Sequence, residues 1–240
     1  MKVQNKNIHI LSVLIFSTGV LLGTAFFGSA AWADLEAVFY GFDKFASQTM
    51  SALKCPVLMT TTETGTISAT FTNTTDQPLR PAIRVDISNP GLLTIIKTTL
   101  SLAPGESQQL FWTVTSDDIV LERFIFAKVL MYAAYPLPAR EGMCGILVID
   151  LPGFTGSQIV IFAITASILS MSLGLALWRV SNRPLIGKAM ATSRALNVLA
   201  GVILAGMIVG LLGWWMLGVI LLTVTVLLIG VLVGRFVLSA

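Results

Sequence analysis

The stretch ISATFTNTTDQPLRPAIRVDI, residues 67–87, contains two runs in which apolar and polar residues alternate, with a polar turn between them. The alternating apolar residues are Ile67, Ala69 and Phe71 in the first run and Ile83, Val85 and Ile87 in the second. A period of two is typical of a β-strand with one buried face. Because turn-forming residues fill positions 73–78, the stretch predicts two strands joined by a turn.

The same pattern of short strands continues on both sides of this stretch. The predicted strands are Val57–Glu63, Thr66–Thr72, Ala82–Ser88, Leu93–Leu100, Gln108–Thr115, Phe124–Tyr132 and Gly145–Asp150. Turn residues separate several of them, as at 89–91 and 103–106. About seven short strands in roughly 95 residues predict an antiparallel β-sandwich over residues 55–152.

Two turn motifs give this region a resemblance to a known class of domain. They are Phe71-Thr72-Asn73-Thr74-Thr75-Asp76-Gln77-Pro78 and Leu102-Ala103-Pro104-Gly105-Glu106-Ser107. The pair resembles bacterial extracytoplasmic immunoglobulin-like or fibronectin-like domains. The resemblance implies an Ig-like sandwich that binds partners or acts as a spacer, and it carries over no catalytic residue. The Cys–Trp–Cys core of antibody domains is absent, because Trp112 is the one tryptophan of the region and its cysteines lie at the ends.

The two cysteines, Cys55 and Cys144, stand at the two ends of the predicted sandwich. An even number of cysteines outside the cytoplasm predicts a disulfide, which here would tie the start of the domain to its end. Closing a loop of about 90 residues contributes roughly 4–5 kcal/mol at most in the chain-entropy model. Two buried free thiols are the alternative. The spacing is not C-x-x-C, which argues against a redox-catalytic pair.

Long apolar segments flank this region. Of the 240 residues, 55% are hydrophobic and 11% are charged, whereas soluble domains have about 25% charged residues. Residues 8–27 and 159–178 each suffice to cross a bilayer core of about 30 Å. Residues 195–237 are too long for one span, so we expect two spans with a tight turn at Gly213-Trp214-Trp215, where Trp214 and Trp215 suit the outer interface. The sequence thus predicts an α+β membrane protein with four transmembrane helices and one extracytoplasmic β-sandwich.

The charges divide by region. Residues 34–150 carry eight basic and twelve acidic residues, and the rest of the chain carries seven basic residues and no acidic one. Those seven are Lys2, Lys6, Arg179, Arg183, Lys188, Arg194 and Arg235. Because short cytoplasmic segments are enriched in Lys and Arg, the pattern predicts cytoplasmic termini, a cytoplasmic loop at 179–194 and an extracytoplasmic region at 34–157.

Two segments before the sandwich admit alternatives. Residues 1–33 are predicted to be a retained anchor, with a signal peptide cleaved after Ala31-Trp32-Ala33 as the rival. Residues 34–54 have apolar side chains at three- and four-residue spacing, which predicts an amphipathic helix. That helix would lie either on the outer membrane surface or against the β domain.

The predicted spans contain small residues but no midplane charge. Glycines stand four apart in three pairs: Gly19 and Gly23, Gly206 and Gly210, and Gly230 and Gly234. This spacing lets helices approach closely, so we expect the spans to pack together or on another protein. Ion and proton pathways need charged groups within the membrane, so a transporter is disfavoured.

The remaining residues indicate no catalytic or metal site. His9 is the one histidine and cannot form a multi-ligand metal centre alone. A position at the cytoplasmic interface accounts for it, with a single contact to a pigment as the alternative. The acidic group at 117–122 is expected to be a solvated turn or helix cap. We therefore expect no enzymatic activity, no cofactor and no nucleic-acid partner.

These features favour a non-enzymatic accessory or scaffold subunit of a larger assembly in a bacterial plasma membrane. Its expected partners are membrane lipid and other membrane subunits. A surface module that binds a glycan or peptide is the first alternative, and it needs an exposed aromatic cluster from Trp112, Tyr132 and Tyr135. A small transporter or a membrane-enzyme subunit is the second.

Overall fold

The computed structural model describes residues 6–238 except 41, 43, 47, 51 and 92, and it leaves out the side chains of residues 6, 188 and 235–238. The chain divides into two compact units. Met1–Ala31 with Val160–Ala240 forms a helical unit, and Trp32–Ile159 forms a β domain. Lys2 lies outside the described residues, and the side chains of Lys6, Lys188 and Arg235 are likewise outside them.

Four long helices account for the apolar segments. They are α1 (Lys6–Phe39), α2 (Gly156–Ser181), α3 (Lys188–Leu211) and α4 (Trp215–Leu238). All four are long and apolar enough to cross a membrane. The turn predicted between the last two spans is present, and Gly213 adopts there a left-handed φ of 68° that glycine tolerates without strain.

Two helix boundaries differ from the prediction. The separate helix over residues 34–54 is wrong, because α1 continues to Phe39 and short strands follow it. The alanines of residues 30–37 favour helix, and no proline or glycine interrupts them. The predicted loop at 179–194 is also shorter, since α3 begins at Lys188, directly after Gly187.

In the described part of the chain, nine strands form the β domain. They are β1 (Gln48–Thr49), β2 (Leu53–Lys54), β3 (Leu58–Thr60), β4 (Gly65–Thr72), β5 (Ala82–Ile87), β6 (Thr94–Thr99), β7 (Ser107–Val114), β8 (Phe124–Met131) and β9 (Arg140–Ile149). The seven predicted strands correspond to β3–β9. Strands β1 and β2 were not predicted, because each is only two residues long and lacks an alternating pattern. The first half of β9 was not predicted either.

The strands form two sheets. The larger has the order β1-β9-β8-β5-β6, with β3 also paired to β9, and the smaller has the order β2-β4-β7. The expectation of a purely antiparallel arrangement is wrong at one edge, since β1 and β3 both pair with β9 in parallel. Both sheets contribute to a single core, with Ile67 and Trp112 from the smaller and Ile83 and Val129 from the larger.

The first predicted turn is held by the buried side chain of Asn73. Its Nδ2 lies 2.8 Å from the carbonyl of Gln77 and 3.1 Å from the carbonyl of Leu102, and its Oδ1 accepts the N–H of Thr75. The second turn closes when Glu106 accepts the N–H of Ala103 at 2.7 Å. Asn73 therefore joins the two motifs on which the resemblance rests.

Strand β8 is buried at all eight positions. One of its faces contributes to the core between the sheets. On its other face, Phe124 and Phe126 pack against Ala33 and Ala37 of α1 together with neighbouring aromatic rings. Ala33, Ala37, Tyr40 and Phe42 thus cover part of the outer face of the larger sheet, while Met50 and Leu53 pack on the core between the sheets.

Candidate functional site

The first predicted glycine pair lies inside the helical unit. A Cβ at Gly19 would lie 2.7 Å from the backbone nitrogen of Met171, so the backbones of α1 and α2 touch there. The Ser167 hydroxyl donates to the Gly19 carbonyl at 2.7 Å. A Cβ at Gly23 would meet Ser167 Oγ at 2.7 Å and the side chain of Ile203. The pair therefore packs α1 against α2 and α3, as small residues do in membrane helices.

The second pair, Gly206 and Gly210, also serves a contact within this chain. A Cβ at Gly206 would lie 2.9 Å from the ring of Phe27, and one at Gly210 would lie 3.4 Å from Ala30. Phe27 is completely buried. Leucine at these positions would displace the Phe27 ring and disturb the helical unit itself.

The third pair, Gly230 and Gly234 of α4, is open. A Cβ at either position would meet nothing within 4 Å. Only 11% of the most apolar stretch of α4 is buried within the chain, compared with 39% for α1. Among the three predicted pairs, this one has no described neighbour to approach.

Gly230 and Gly234 are the last two residues of a stripe along one face of α4. Its members follow one another at three- and four-residue intervals: Met216, Ile220, Thr223, Leu227, Gly230 and Gly234. Residues at this spacing lie on one face of a helix. Met216 and Leu227 are 65% and 64% exposed, while Thr223 donates its hydroxyl to the Val219 carbonyl of its own helix. We call this face the α4 stripe, and its chemistry suits van der Waals packing.

The two predicted interface tryptophans lie at the turn before α4. Trp215 is the first residue of α4, and Trp214 precedes it with 59% of its surface exposed. Their side chains are large and amphipathic, which suits the boundary between lipid and water. Their depth in a membrane stays a prediction.

Three of the basic residues predicted to set the topology have described side chains, and they lie in or between α2 and α3. Arg179 lies in the last turn of α2 and reaches Asn197 at 2.9 Å and Ser193 at 3.3 Å. Arg183 lies between α2 and α3, and Arg194 belongs to α3. Arg179 therefore also joins two helices, a role that its sequence pattern did not indicate.

His9 meets polar and aromatic neighbours within the helical unit. Its Nδ1 lies 3.2 Å from Asn182 Nδ2, and its ring centroid lies 6.5 Å from that of Trp178. These contacts give the imidazole partners from α2 and from the residue after it. Asn182 and Trp178 were not singled out from the sequence, because neither belongs to a recognisable motif.

In the β domain, Cys55 and Cys144 form the predicted disulfide, with their Cα atoms 6.5 Å apart. Cys144 lies within β9, and Cys55 lies between β2 and β3. The bond therefore joins the middle of the last strand to the segment that precedes β3, rather than the two extreme ends of the domain.

A buried charged cluster lies on the outer face of the larger sheet. Lys128 Nζ is 3.4 Å from Glu141 Oε2, and the two side chains are 1% and 5% exposed. The same carboxylate accepts the N–H groups of Phe45 and Ala46 at 3.0 and 3.2 Å. Glu141 thus fixes residues 45 and 46 to β9. The sequence signal for this cluster was the single lysine in the otherwise apolar run of β8.

A second ion pair adjoins this cluster. Arg84 Nε donates to Asp86 Oδ1 at 2.6 Å. The hydrogen bond to Asp86 raises the pKa of the Arg84 guanidinium. The Phe45 ring lies 5.6 Å from Arg84 Cζ and 4.7 Å from Lys128 Nζ, within the range of cation–π attraction. These contacts hold the segment after α1 against the sheet, which is a structural role.

The three aromatic residues proposed for surface binding separate in the structure. Trp112 is buried, at 7% exposure, and belongs to the core. Tyr132 and Tyr135 are 39% and 93% exposed. The hypothesis of a cluster that includes Trp112 is therefore wrong, because its indole packs between the sheets. Among the described residues, no group of three or more His, Cys, Asp or Glu is placed to hold a metal ion.

Comparisons with known proteins yield only distant similarities. No family model matches the chain, and no curated protein matches it. A CARDB domain from Pyrococcus furiosus is similar at 16% identity and a TM-score of 0.33, covering 45% of this chain and 99% of that one. A Paenibacillus cycloisomaltooligosaccharide glucanotransferase has 18% identity and a TM-score of 0.33, covering 43% of this chain and 14% of its own. A Listeria innocua beta-glucosidase has 15% identity and a TM-score of 0.31, over 41% and 16%.

Proposed function

We propose that this protein is a non-enzymatic accessory or scaffold subunit of a larger assembly in a bacterial plasma membrane. In this proposal an Ig-like sandwich projects outside the cytoplasm, and the four helices span the membrane. The α4 stripe packs against a membrane-spanning helix of another subunit. The observation that carries the proposal is the contrast among the glycine pairs, two of which fill contacts within the chain while the third is open.

The environment of a membrane helix determines what holds it to a neighbour. Lipid tails are as apolar as leucine, so helices associate through close backbone packing rather than through a hydrophobic driving force. Gly230 and Gly234 lower the surface of α4 at two successive turns, which lets a second helix approach its backbone. Met216 and Leu227 extend the same face and add area for van der Waals contact.

The test compares glycine pairs of the same chain. Gly230→Leu with Gly234→Leu should leave the protein folded and remove the partner that co-purifies with the wild type. Gly206→Leu with Gly210→Leu should instead unfold the helical unit, because leucine displaces Phe27. Gly201→Leu is the matched control, since a Cβ there also meets nothing within 4 Å, and it should keep both the fold and the partner.

Co-purification from gently solubilised membranes, followed by mass spectrometry, measures the outcome. A wild-type protein that isolates without a stoichiometric companion would contradict the scaffold function. So would a Gly230→Leu, Gly234→Leu variant that retains its companion in full.

The proposed orientation places both termini in the cytoplasm and residues 34–157 outside it. The charge distribution supports it, because basic residues are enriched in short cytoplasmic segments. A cysteine introduced at Lys188 should be protected from an impermeant maleimide in intact cells, and one at Tyr135 should be labelled. Labelling at position 188 from outside would contradict this orientation.

A surface-binding module is the second candidate function, and the exposure of Tyr132 and Tyr135 favours it. Both residues lie in the connection between β8 and β9, and exposed amphipathic rings suit contact with a glycan or a peptide. Tyr132→Ala with Tyr135→Ala should abolish retention on a glycan or peptide array if the domain is a binding module. The same variant should retain its membrane partner if the protein is a scaffold.

A further inference from the structure

The turn before β8 has an unusual backbone. The N–H of Val120 donates to the carbonyl of Phe124 at 2.7 Å, and the N–H of Phe124 donates back at 3.0 Å, so the chain reverses within five residues. At the tip, Leu121 and Glu122 have φ angles of 50° and 66°. Leu121 is also 59% exposed.

Such a conformation is unfavourable for leucine. The left-handed region places Cβ close to the backbone, and glycine, asparagine or aspartate normally occupies it. Because Leu121 is more than half exposed, its packing within the domain offsets little of this strain. Strained positions that the fold nevertheless maintains are often functional.

The turn lies beside the part of α1 that belongs to the β domain. The Trp32 ring packs edge-on against Phe124 at 5.0 Å, and the Arg123 guanidinium lies 5.9 Å from the Trp32 ring centroid. Trp32 is 42% exposed. An indole and an arginine therefore accompany Leu121 on the same edge of the domain.

A third segment emerges at this end of the larger sheet. β8 begins at Phe124, which pairs with Leu147 near the end of β9. After β9 the chain passes through Leu151 and Phe154, which are 41% and 55% exposed, and α2 begins at residue 156. One end of the domain thus carries the turn, Trp32 and residues 151–154. It is the end at which the chain arrives from α1 and leaves into α2.

We propose that this end of the domain is a lipid-contacting rim, in which Leu121 inserts into the boundary between headgroups and acyl chains together with Trp32, Leu151 and Phe154. The inference rests on α1 and α2 spanning the membrane, as proposed above. Lipid is the expected contact of this rim because the rim is continuous with the two helices. Trp32 lies in α1 itself, and Phe154 is two residues from α2. Tryptophan favours this depth, and Glu122 and Arg123 keep their charges at headgroup level while their stems lie along the rim.

The test uses the full chain in phospholipid nanodiscs. Both native cysteines are in the disulfide, so Leu121→Cys gives one site for an environment-sensitive nitrobenzoxadiazole label. We expect blue-shifted emission and quenching by a lipid that carries a nitroxide near its headgroup. The control is Tyr135→Cys, which is 93% exposed and lies beyond the opposite end of β8, roughly 23 Å away at 3.3 Å per residue. Its label should emit as in water.

Equal, water-like emission from positions 121 and 135 would overturn the proposal. If the Leu121→Cys variant fails to fold, Phe154→Cys reports on the same rim with Leu121 intact. A further comparison combines Leu121→Asn with the labelled Phe154→Cys variant, since asparagine tolerates the left-handed region. Lipid quenching at position 154 should then fall while the melting temperature holds or rises. Unchanged quenching would show that Leu121 has only a structural role, and the proposal would fail while the scaffold function stood.

Discussion

Strand β8 and helix α4 are both apolar, but the chain covers them very differently. All eight residues of β8 are buried, with the core on one face and residues of the segment 33–50 on the other. In α4 only 11% of the most apolar stretch is buried. The β domain thus supplies both surfaces that its central strand needs, whereas the described part of the chain leaves most of the surface of α4 uncovered.

The difference extends to polar groups. Around β8 the buried charges Lys128 and Glu141 are paired with each other, and the carboxylate also fixes a neighbouring segment. From Trp215 to Gly234, α4 has no charged residue at all. A buried charge needs a specific partner close by, so β8 depends on the exact fold around it, while α4 depends mainly on an apolar surrounding.

The largest expected effect comes from breaking the buried ion pair. Glu141→Ala removes the carboxylate beside Lys128 and the acceptor for two backbone N–H groups. It should lower the free energy of unfolding of the β domain by about 3–5 kcal/mol. Pulse proteolysis across a urea series in mild detergent measures it. Lys128→Met combined with Glu141→Leu is the control: it replaces both charges by similar volumes, so it should be less destabilising than Glu141→Ala, with the cost of the two unbonded N–H groups remaining.

The disulfide should have the next largest effect. Cys144→Ser should destabilise the domain by about 2–5 kcal/mol, since the bond restricts a long loop of the unfolded chain. Intact-mass measurement with and without reductant checks that the wild-type cysteines are oxidised. Two alkylatable thiols in the unreduced native protein would contradict the bond, and an unchanged stability would show that packing alone holds Cys55 near β9.

The same truncation in β8 and α4 compares the two elements directly. Leu130 of β8 is 1% exposed, and Leu227 of α4 is 64% exposed. Leu130→Ala should cost about 2–4 kcal/mol of stability through lost burial and a cavity. Leu227→Ala should change the stability of the isolated protein by less than about 0.5 kcal/mol. Comparable losses at both positions would show that α4 is covered within this chain after all.

The smallest expected effect is an increase in the stability of the β domain. Leu121→Asn should stabilise the β domain by about 1 kcal/mol, because asparagine adopts the left-handed conformation at lower cost. Thermal unfolding followed by near-ultraviolet circular dichroism measures it. Leu121→Val is the opposite control and should destabilise, since branching at Cβ increases the crowding.

Sequence reasoning succeeded where one local pattern decides the structure. Ile83, Val85 and Ile87 alternate, and they lie in β5 with their side chains in the core. The cysteine count predicted the disulfide, and segment length predicted four long helices. In each case the signal lies within a few residues or in a simple count.

Prediction from the sequence failed where contacts between distant residues determine the structure. The apolar spacing of residues 34–54 resembled one helix face, but Phe42 and Met50 pack on different parts of the β domain. The parallel pairing of β1 and β3 depends on β9, which lies far along the chain, since Gln48 pairs with Arg140 and Leu58 with Leu147. The glycine spacing likewise did not distinguish Gly210, which meets Ala30, from Gly230, which is open.

The position of β9 has a consequence for the order of synthesis. It is the last strand to leave the ribosome, and it pairs with β8 and with two strands made long before it. Contacts between distant parts of a chain form slowly. Until residue 149 is available, the nascent domain therefore cannot close its larger sheet, and the apolar edge of β8 stays open. In the topology proposed above, α1 enters the membrane before β9 is made, so insertion of the first helix would precede folding of the domain that follows it.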